Sequence, residues 1–244
     1  MVLKAVFLEF NGVVIKDAAL KRTLIDEILI SENLRPDAAE YAQVCIERSD
    51  RACLKQLLNR RGRVTSQEFL DKLLMQKSAA YIDRLAEAAK IPLYPGLADL
   101  LYKVKTESLA LGLVTSTAKA EVDWVLEHAN LADAFSVVVT AQDLALKDEK
   151  PDPKGFEIAI SRLNEQNPDL SAIPEECLAV EAFYSGIAGA KSAHIPVVGV
   201  AHCYPYRMIQ RRANWVVDYL NEIDFAWIRH GYEPEAIARE EAPT

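Results

Sequence analysis

Nowhere does this chain run apolar for the roughly 18 residues that a membrane-crossing helix requires. Its opening, Lys4 ahead of a short apolar run and a charged helical stretch, has no signal-peptide pattern, so the chain reads as cytoplasmic. Cysteine is sparse. Cys45, Cys53, Cys177 and Cys203 are widely spaced and include no Cys-x-x-Cys pair, so neither zinc nor a disulfide framework is expected and all four read as buried apolar fillers. Positive charge is in deficit, with 28 Lys and Arg against 36 Asp and Glu and a net charge of -8. A phosphate backbone attracts a basic face, which weighs against nucleic acid as the main partner. The four histidines form no recognisable paired-histidine or serine-histidine-acid arrangement, and internal repeats and low-complexity tracts are absent.

What is present is an ordinary globular composition: 244 residues, 50% hydrophobic and 26% charged, enough for a full core in one large domain or two smaller ones. The chain is organised around Lys4-Ala-Val-Phe-Leu-Glu-Phe-Asn-Gly-Val-Val-Ile15, an apolar run that halts at Glu9, turns at Asn11-Gly12 and resumes. A run of four to eight apolar residues closed by a turn signal suits a strand buried on both faces of a parallel sheet. The Asn-Gly pair supplies the turn. Ligands of open parallel sheets bind beyond the carboxyl ends of the strands, so Glu9 stands where a reacting group belongs.

From Asp17 to about Lys90 the pattern is helical. Leu20, Leu24, Ile25, Ile28 and Leu29 recur at helical spacing, and helices are expected at 39–48, 51–60 and 69–88. Arg60-Arg61-Gly62 ends one helix, and Thr65-x-x-Glu68 matches a capping box opening the next. Tyr94-Pro95-Gly96 closes this insert. Strands at 109–115, 135–140, 177–181, 196–201 and 215–218 then alternate with helices. The expected architecture is α/β, a doubly wound parallel-sheet, Rossmann-like core at residues 1–15 and 92–230 with an all-helical cap inserted at 16–91 and a flexible acidic tail at 231–244. A cleft is expected between core and cap.

Four strand-end positions converge on one edge of that sheet: Glu9 with Asn11, Thr115 with Ser116, Lys150 in Lys-Pro-Asp-Pro153, and Glu181 with Ala182. With Val-Phe-Leu-Glu-Phe-Asn-Gly-Val-Val14, Leu-Gly-Leu-Val-Thr115, Lys150-Pro-Asp-Pro-x-x-Phe156 and Ala-Val-Glu181-x-x-x-x-Gly186-Ile-x-Gly-Ala-Lys-x-Ala193 in this order, the chain resembles the haloacid dehalogenase superfamily. The likeness is to its helical-cap phosphatases and phosphomutases and covers about residues 3–218. The resemblance implies an Asp nucleophile that becomes phosphorylated and a second Asp two residues on as general acid and base. It further implies a Thr or Ser and a Lys holding the phosphoryl oxygens, and a fourth-motif Asp that helps bind Mg²⁺.

Carried over, the resemblance puts Glu9 at the nucleophile position and Asn11 at the acid-base position. Thr115, Ser116, Lys150 and the Asn11-Gly12 turn hold phosphate, and Ala182 stands where the metal-binding Asp belongs. Glu9 has an arm longer by one methylene, which moves its oxygen on the order of 1 Å and can cost about a hundredfold in rate. Asn11 has no titratable proton, and losing acid-base help costs roughly 10²–10⁴-fold. A metal set reduced to Glu9, the Asn11 carbonyl and Glu181 should bind Mg²⁺ weakly, so no cofactor is expected unless the site is active. Lys150 reads equally as an anion binder or as a salt bridge to Glu9 or Glu181. Thr115 reads as a ligand contact or a cap of the following helix, and Glu181 as a structural partner of Lys150.

Arg48-Ser-Asp-Arg51 resembles the cap segment that faces the active site in this branch, with Glu47 in place of a glycine, although Ser49 or Asp50 capping the next helix explains it as well. Arg48, Arg51, Lys55, Arg60, Arg61 and Arg63 form a basic cap face, either a docking surface or solvated helix ends. Arg207, Arg211 and Arg212 form a smaller cluster of the same kind, and His202 and Cys203 are expected in a loop. The leading expectation is a degenerate phosphoryl-transfer site that acts by binding a small anionic or phosphorylated ligand or a protein partner. The alternative is a Mg²⁺-dependent phosphatase or phosphomutase on a small phosphorylated metabolite, with Glu9 as nucleophile. The superfamily's metal-independent dehalogenases, which also lack the second acid of the first motif, offer a third reading that no residue here selects.

Overall fold

The computed structural model describes residues 2–231. The first strand, β1 (Ala5–Leu8), is buried at every position, as an unalternating apolar run requires. Val6 and Leu8 join one hydrophobic cluster and Ala5 and Phe7 another, so the strand separates two cores. It is followed by β2 (Ala110–Val114), β3 (Val137–Val139), β4 (Cys177–Glu181), β5 (Val197–Val200) and β6 (Trp215–Val217). These six pair in parallel in the order β3-β2-β1-β4-β5-β6. The chain winds outward from β1 through β2 to β3 and then returns to the other side of β1. The switch of direction therefore falls between β1 and β4, where open α/β sheets place their ligands.

One face of the sheet is covered by α5 (Leu97–Thr106) and α6 (Lys119–His128), through Leu100, Val104, Val122 and Val125. The other is covered by α7 (Lys154–Gln166) and α8 (Tyr184–Ser192), through Phe156, Ala159, Leu163 and Ile187. Between β1 and α5 lie α1 (Ala18–Ser31), α2 (Ala38–Val44), α3 (Asp50–Arg60) and α4 (Gln67–Ala86), with a separate core that includes Ile25, Leu29, Leu54, Leu58 and Leu73. Chain enters and leaves this cap through a neck where Ile15 bridges Leu93 and the Lys16 amide donates to the Pro92 carbonyl.

Several details differ from the sequence reading. The tight turn expected after Glu9 is present, with the Val14 and Ile15 amides both donating to the Phe10 carbonyl; the differences lie elsewhere. The helix expected at 39–48 ends at Val44, because Glu47 adopts φ 69°, a left-handed conformation that no helix continues. That break brings Cys45 and Cys53 together in a disulfide with Cα atoms 4.6 Å apart, so these two are not free fillers; Cys177 and Cys203 are free. Gly62 follows α3 with φ 72°, as a C-terminal glycine should. The capping residue of α4 is Ser66 rather than Thr65, its hydroxyl accepting from the Phe69 amide. Two helices were not anticipated, α9 (Tyr206–Ile209) and α10 (Phe225–Gly231). Beyond residue 231, the acidic tail lies outside the described residues.

Candidate active site

Register brings the site together. Leu8 pairs with Val180, so Glu9 and Glu181 leave adjacent strands side by side at the switch point. Lys150, from the loop before α7, lies between them: its Nζ is 2.6 Å from Glu9 Oε2, 2.5 Å from Glu181 Oε1 and 2.8 Å from the Val114 carbonyl. An ammonium has three donors, and all three are engaged. The extra methylene of Glu9 lets its other oxygen turn back and accept from the Phe10 amide at 2.7 Å. Glu9 thus satisfies, with its own carboxylate, a backbone amide and a lysine of the kind that hold an incoming anion.

Burial pushes the Glu181 carboxyl up to about 8, with the Lys150 charge opposing and the Glu9 charge adding to the rise. Burial also pulls on Lys150, but Glu181 and Glu9 together hold it above its ordinary value. Glu181 Oε2 is buried and has no hydrogen-bond partner. It lies against Gly186 in the first turn of α8, where an added Cβ would stand 1.9 Å from it.

Asn11 is a structural node. Its amide nitrogen donates to Asp17 Oδ2 at 2.8 Å, and its oxygen accepts from Thr117 Oγ1 at 2.5 Å and from Lys21 Nζ at 3.3 Å. Asp17 also accepts from the Tyr81 hydroxyl, and burial raises its pKa. An Asp at position 11 would meet the Asp17 carboxylate in place of this donor. Thr115 does not cap α6, whose N-cap is Ala118; its hydroxyl accepts from the Thr117 amide. The Gly12 amide donates to the Ile15 carbonyl and is therefore not held open for an anion, while Ser116 lines the cleft. His202 and Cys203 do reach the cleft: the ring of His202 stacks on Tyr94 and its Nδ1 lies 2.8 Å from the Gly12 carbonyl.

The cap is fastened to the core where the segment 47–51 meets partners that the sequence did not single out, among them Lys77, Glu121 and Glu149. Lys77, fully buried, bridges Asp50 Oδ2 at 2.7 Å and Glu121 Oε2 at 2.8 Å, and Ser78 donates to the other Glu121 oxygen. Ser49 both caps α3 and donates to Glu149, which Arg51 also binds. Glu47, at the position of the family's glycine, keeps a glycine-like backbone and accepts from the Ser185 amide and the Tyr204 hydroxyl. Arg48 lines the cleft but is exposed and donates to Gln56. In the basic cap face, Arg51 is bound to Glu149, Arg61 to Glu40 and Arg63 to the Glu32 carbonyl, so the cluster is divided among separate intramolecular partners. Arg212 lies over the Tyr184 ring.

Together these elements enclose a cavity of about 690 Å³ that opens onto Glu9, Asn11, Thr115, Ser116 and Lys150. Mg²⁺ requires a near-octahedral set of oxygens, and the residues present do not supply one. Ala182 is fully buried and packed against Gly12, both Glu9 oxygens are engaged, and the unpartnered Glu181 oxygen faces Gly186. Among the described residues no group of three or more His, Cys, Asp or Glu is placed to hold a metal. Of the set Glu9, Asn11 carbonyl and Glu181, the two carboxylates are thus bridged by Lys150 rather than held open for a metal.

The class of protein follows from this fold and site. Residues 9–200 match the haloacid dehalogenase-like hydrolase family, and the chain belongs to it. It is 32% identical over 135 residues to the phosphoglycolate phosphatase of Salmonella typhimurium, covering 55% of this chain and 50% of that protein. It is 31% identical over 134 residues to the beta-phosphoglucomutase of Bacillus subtilis, covering 55% and 54%. The chain thus spans about half the length of the curated relatives it matches. Among solved structures it resembles beta-phosphoglucomutase from Clostridium difficile, with a TM-score of 0.79 at 23% identity over 94% of this chain and 97% of that one. CbbY from Rhodobacter sphaeroides in complex with phosphate gives 0.77 at 20% identity over 90% and 96%. These likenesses establish the fold.

Proposed function

We propose that the chain is a slow phosphatase or phosphomutase of this family, acting on a small phosphorylated metabolite held between cap and core. The observation that carries this reading is the 690 Å³ cavity opening on Glu9, Thr115, Ser116 and Lys150 at the strand-order switch. In the reading, Glu9 attacks phosphorus, the bond to the ester oxygen breaks, and water later hydrolyses the acyl phosphate to release phosphate and restore Glu9. Lys150 moves from Glu9 onto the phosphoryl oxygens and neutralises their charge. Asn11 has no proton to give, so the leaving oxygen takes its proton from water. The missing acid-base group lowers the rate by roughly 10²–10⁴-fold and the displaced carboxylate by about a hundredfold more. No step is assigned to Mg²⁺.

One observation favours a second reading, a binder without turnover: Glu9 itself occupies the Phe10 amide and Lys150. Phosphate release from a panel of phosphomonoesters, measured for the natural protein and Glu9→Gln, separates the two. Slow release abolished by Glu9→Gln is expected. Binding of esters with no Glu9-dependent release would overturn the enzymatic reading and leave the binder.

A further inference from the structure

Most buried polar side chains lining the cleft already have partners elsewhere in the protein. Asp17 is held by Asn11 and Tyr81, Asp50 by Lys77, and Glu47 by Ser185 and Tyr204. Ser49 is held by Glu149, and Lys150 by Glu9, Glu181 and the Val114 carbonyl. Beside the exposed Lys16, Arg22 and Arg48, the wall away from the strand ends presents an apolar surface of Ala19, Ala38, Tyr41, Ala42, Ile46 and Phe183. Ala19, Ala38, Ala42 and Ile46 are exposed, so their surface is available to a ligand, and Ile46 is 45% exposed.

A sugar body brings several hydroxyls, and each one that leaves water without a partner loses free energy. An aliphatic or aromatic body instead gains by covering this wall. The volume suits a small molecule, and pockets of this size combine a mainly apolar lining with a few polar groups that fix orientation. The anionic end has Thr115 and Ser116 at the strand ends, beside Lys150.

From this we infer that the cleft selects a phosphomonoester whose body is aliphatic or aromatic rather than polyhydroxylated. The inference rests on the phosphoryl-site reading and narrows it to a substrate class. It applies whether the ester is turned over or only bound.

Calorimetric titration with phenyl phosphate, glucose 6-phosphate and inorganic phosphate tests it, using the natural protein and Ala42→Asn. Phenyl phosphate is expected to bind at least about tenfold more tightly than glucose 6-phosphate, from the apolar area it covers. Ala42→Asn, on an exposed helical face, should narrow that ratio while its melting temperature confirms folding. Binding of inorganic phosphate with glucose 6-phosphate equal to or tighter than phenyl phosphate would overturn the substrate class and leave the phosphoryl-site reading standing. Failure of inorganic phosphate and of both esters to bind would overturn that reading and the inference with it.

Discussion

Among the described residues, Lys77 and Lys150 are each buried between a pair of carboxylates, and their surroundings differ. Lys77 joins Asp50 of α3 to Glu121 of α6, and every oxygen of that cluster has a partner: Lys77 and Lys21 on Asp50, Lys77 and Ser78 on Glu121. Lys150 joins Glu9 to Glu181, but one Glu181 oxygen has no partner and Glu9 borders a cavity. The first is a clamp, its charges completed to hold cap on core. The second leaves one carboxylate oxygen unpartnered, buried against Gly186, while its other carboxylate, Glu9, borders the cavity at the sheet's switch point. Buried charge in a structural role is paired to completion, because an unpaired oxygen in a low-dielectric interior is costly. An incomplete set needs another reason to exist.

The largest expected effect falls on the clamp. Lys77→Met should lower unfolding free energy by about 3–5 kcal/mol in denaturant titration, because it strands the buried Glu121 without its counter-ion and leaves Asp50 with Lys21 alone. Next is Cys53→Ser, which unties the loop delivering Asp50 to Lys77. Opening that short loop should cost about 2.5 kcal/mol by chain entropy, measurable against the oxidised protein. Lys150→Met should cost less than the clamp, about 1–3 kcal/mol, since the Phe10 amide still serves Glu9 and Glu181 readily takes a proton. Equal losses at the two lysines would remove the distinction between them.

The remaining effect is one of pH dependence rather than of stability at a fixed pH. Glu181 titrates near 4.5 when unfolded and near 8 when folded. Its contribution to stability is therefore complete below about 4.5 and is lost as pH rises toward 8, with the folded state holding more protons through that window. Glu181→Gln should flatten the fall of stability across this range by up to about 1.4 kcal/mol per pH unit. An unchanged slope would place the proton elsewhere.

How much of this was legible in the sequence depends on how local each signal is. Glu9, Thr115 and Glu181 lie at strand ends marked by apolar runs and turn residues, and parallel register alone brings Glu9 beside Glu181; Lys150 comes instead from the loop before α7, not from a strand end. The helical insert is equally visible from its periodicity. Lys77, Asp50 and Glu121 were not, because their pairing depends on how α4 packs against α3 and α6, and periodicity does not carry that information. The Cys45–Cys53 disulfide was missed because a continuous helix at 39–48 leaves the pair unjoined, whereas the left-handed Glu47 turns the chain back. Asn11 was legible as a lost acid but not as the donor that Asp17 requires.

The most direct measurement is of Glu9 itself. The protein is mixed with the phosphomonoester that releases most phosphate, quenched in acid during turnover, digested and examined by mass spectrometry. A phosphoryl group on the peptide bearing Glu9, absent from Glu9→Gln, is the expected result and would identify the carboxylate held by Lys150 as the attacking group. Phosphate release with that peptide never modified, or release that survives in Glu9→Gln, would contradict it and show that the lysine-bridged carboxylates are not where the chemistry happens.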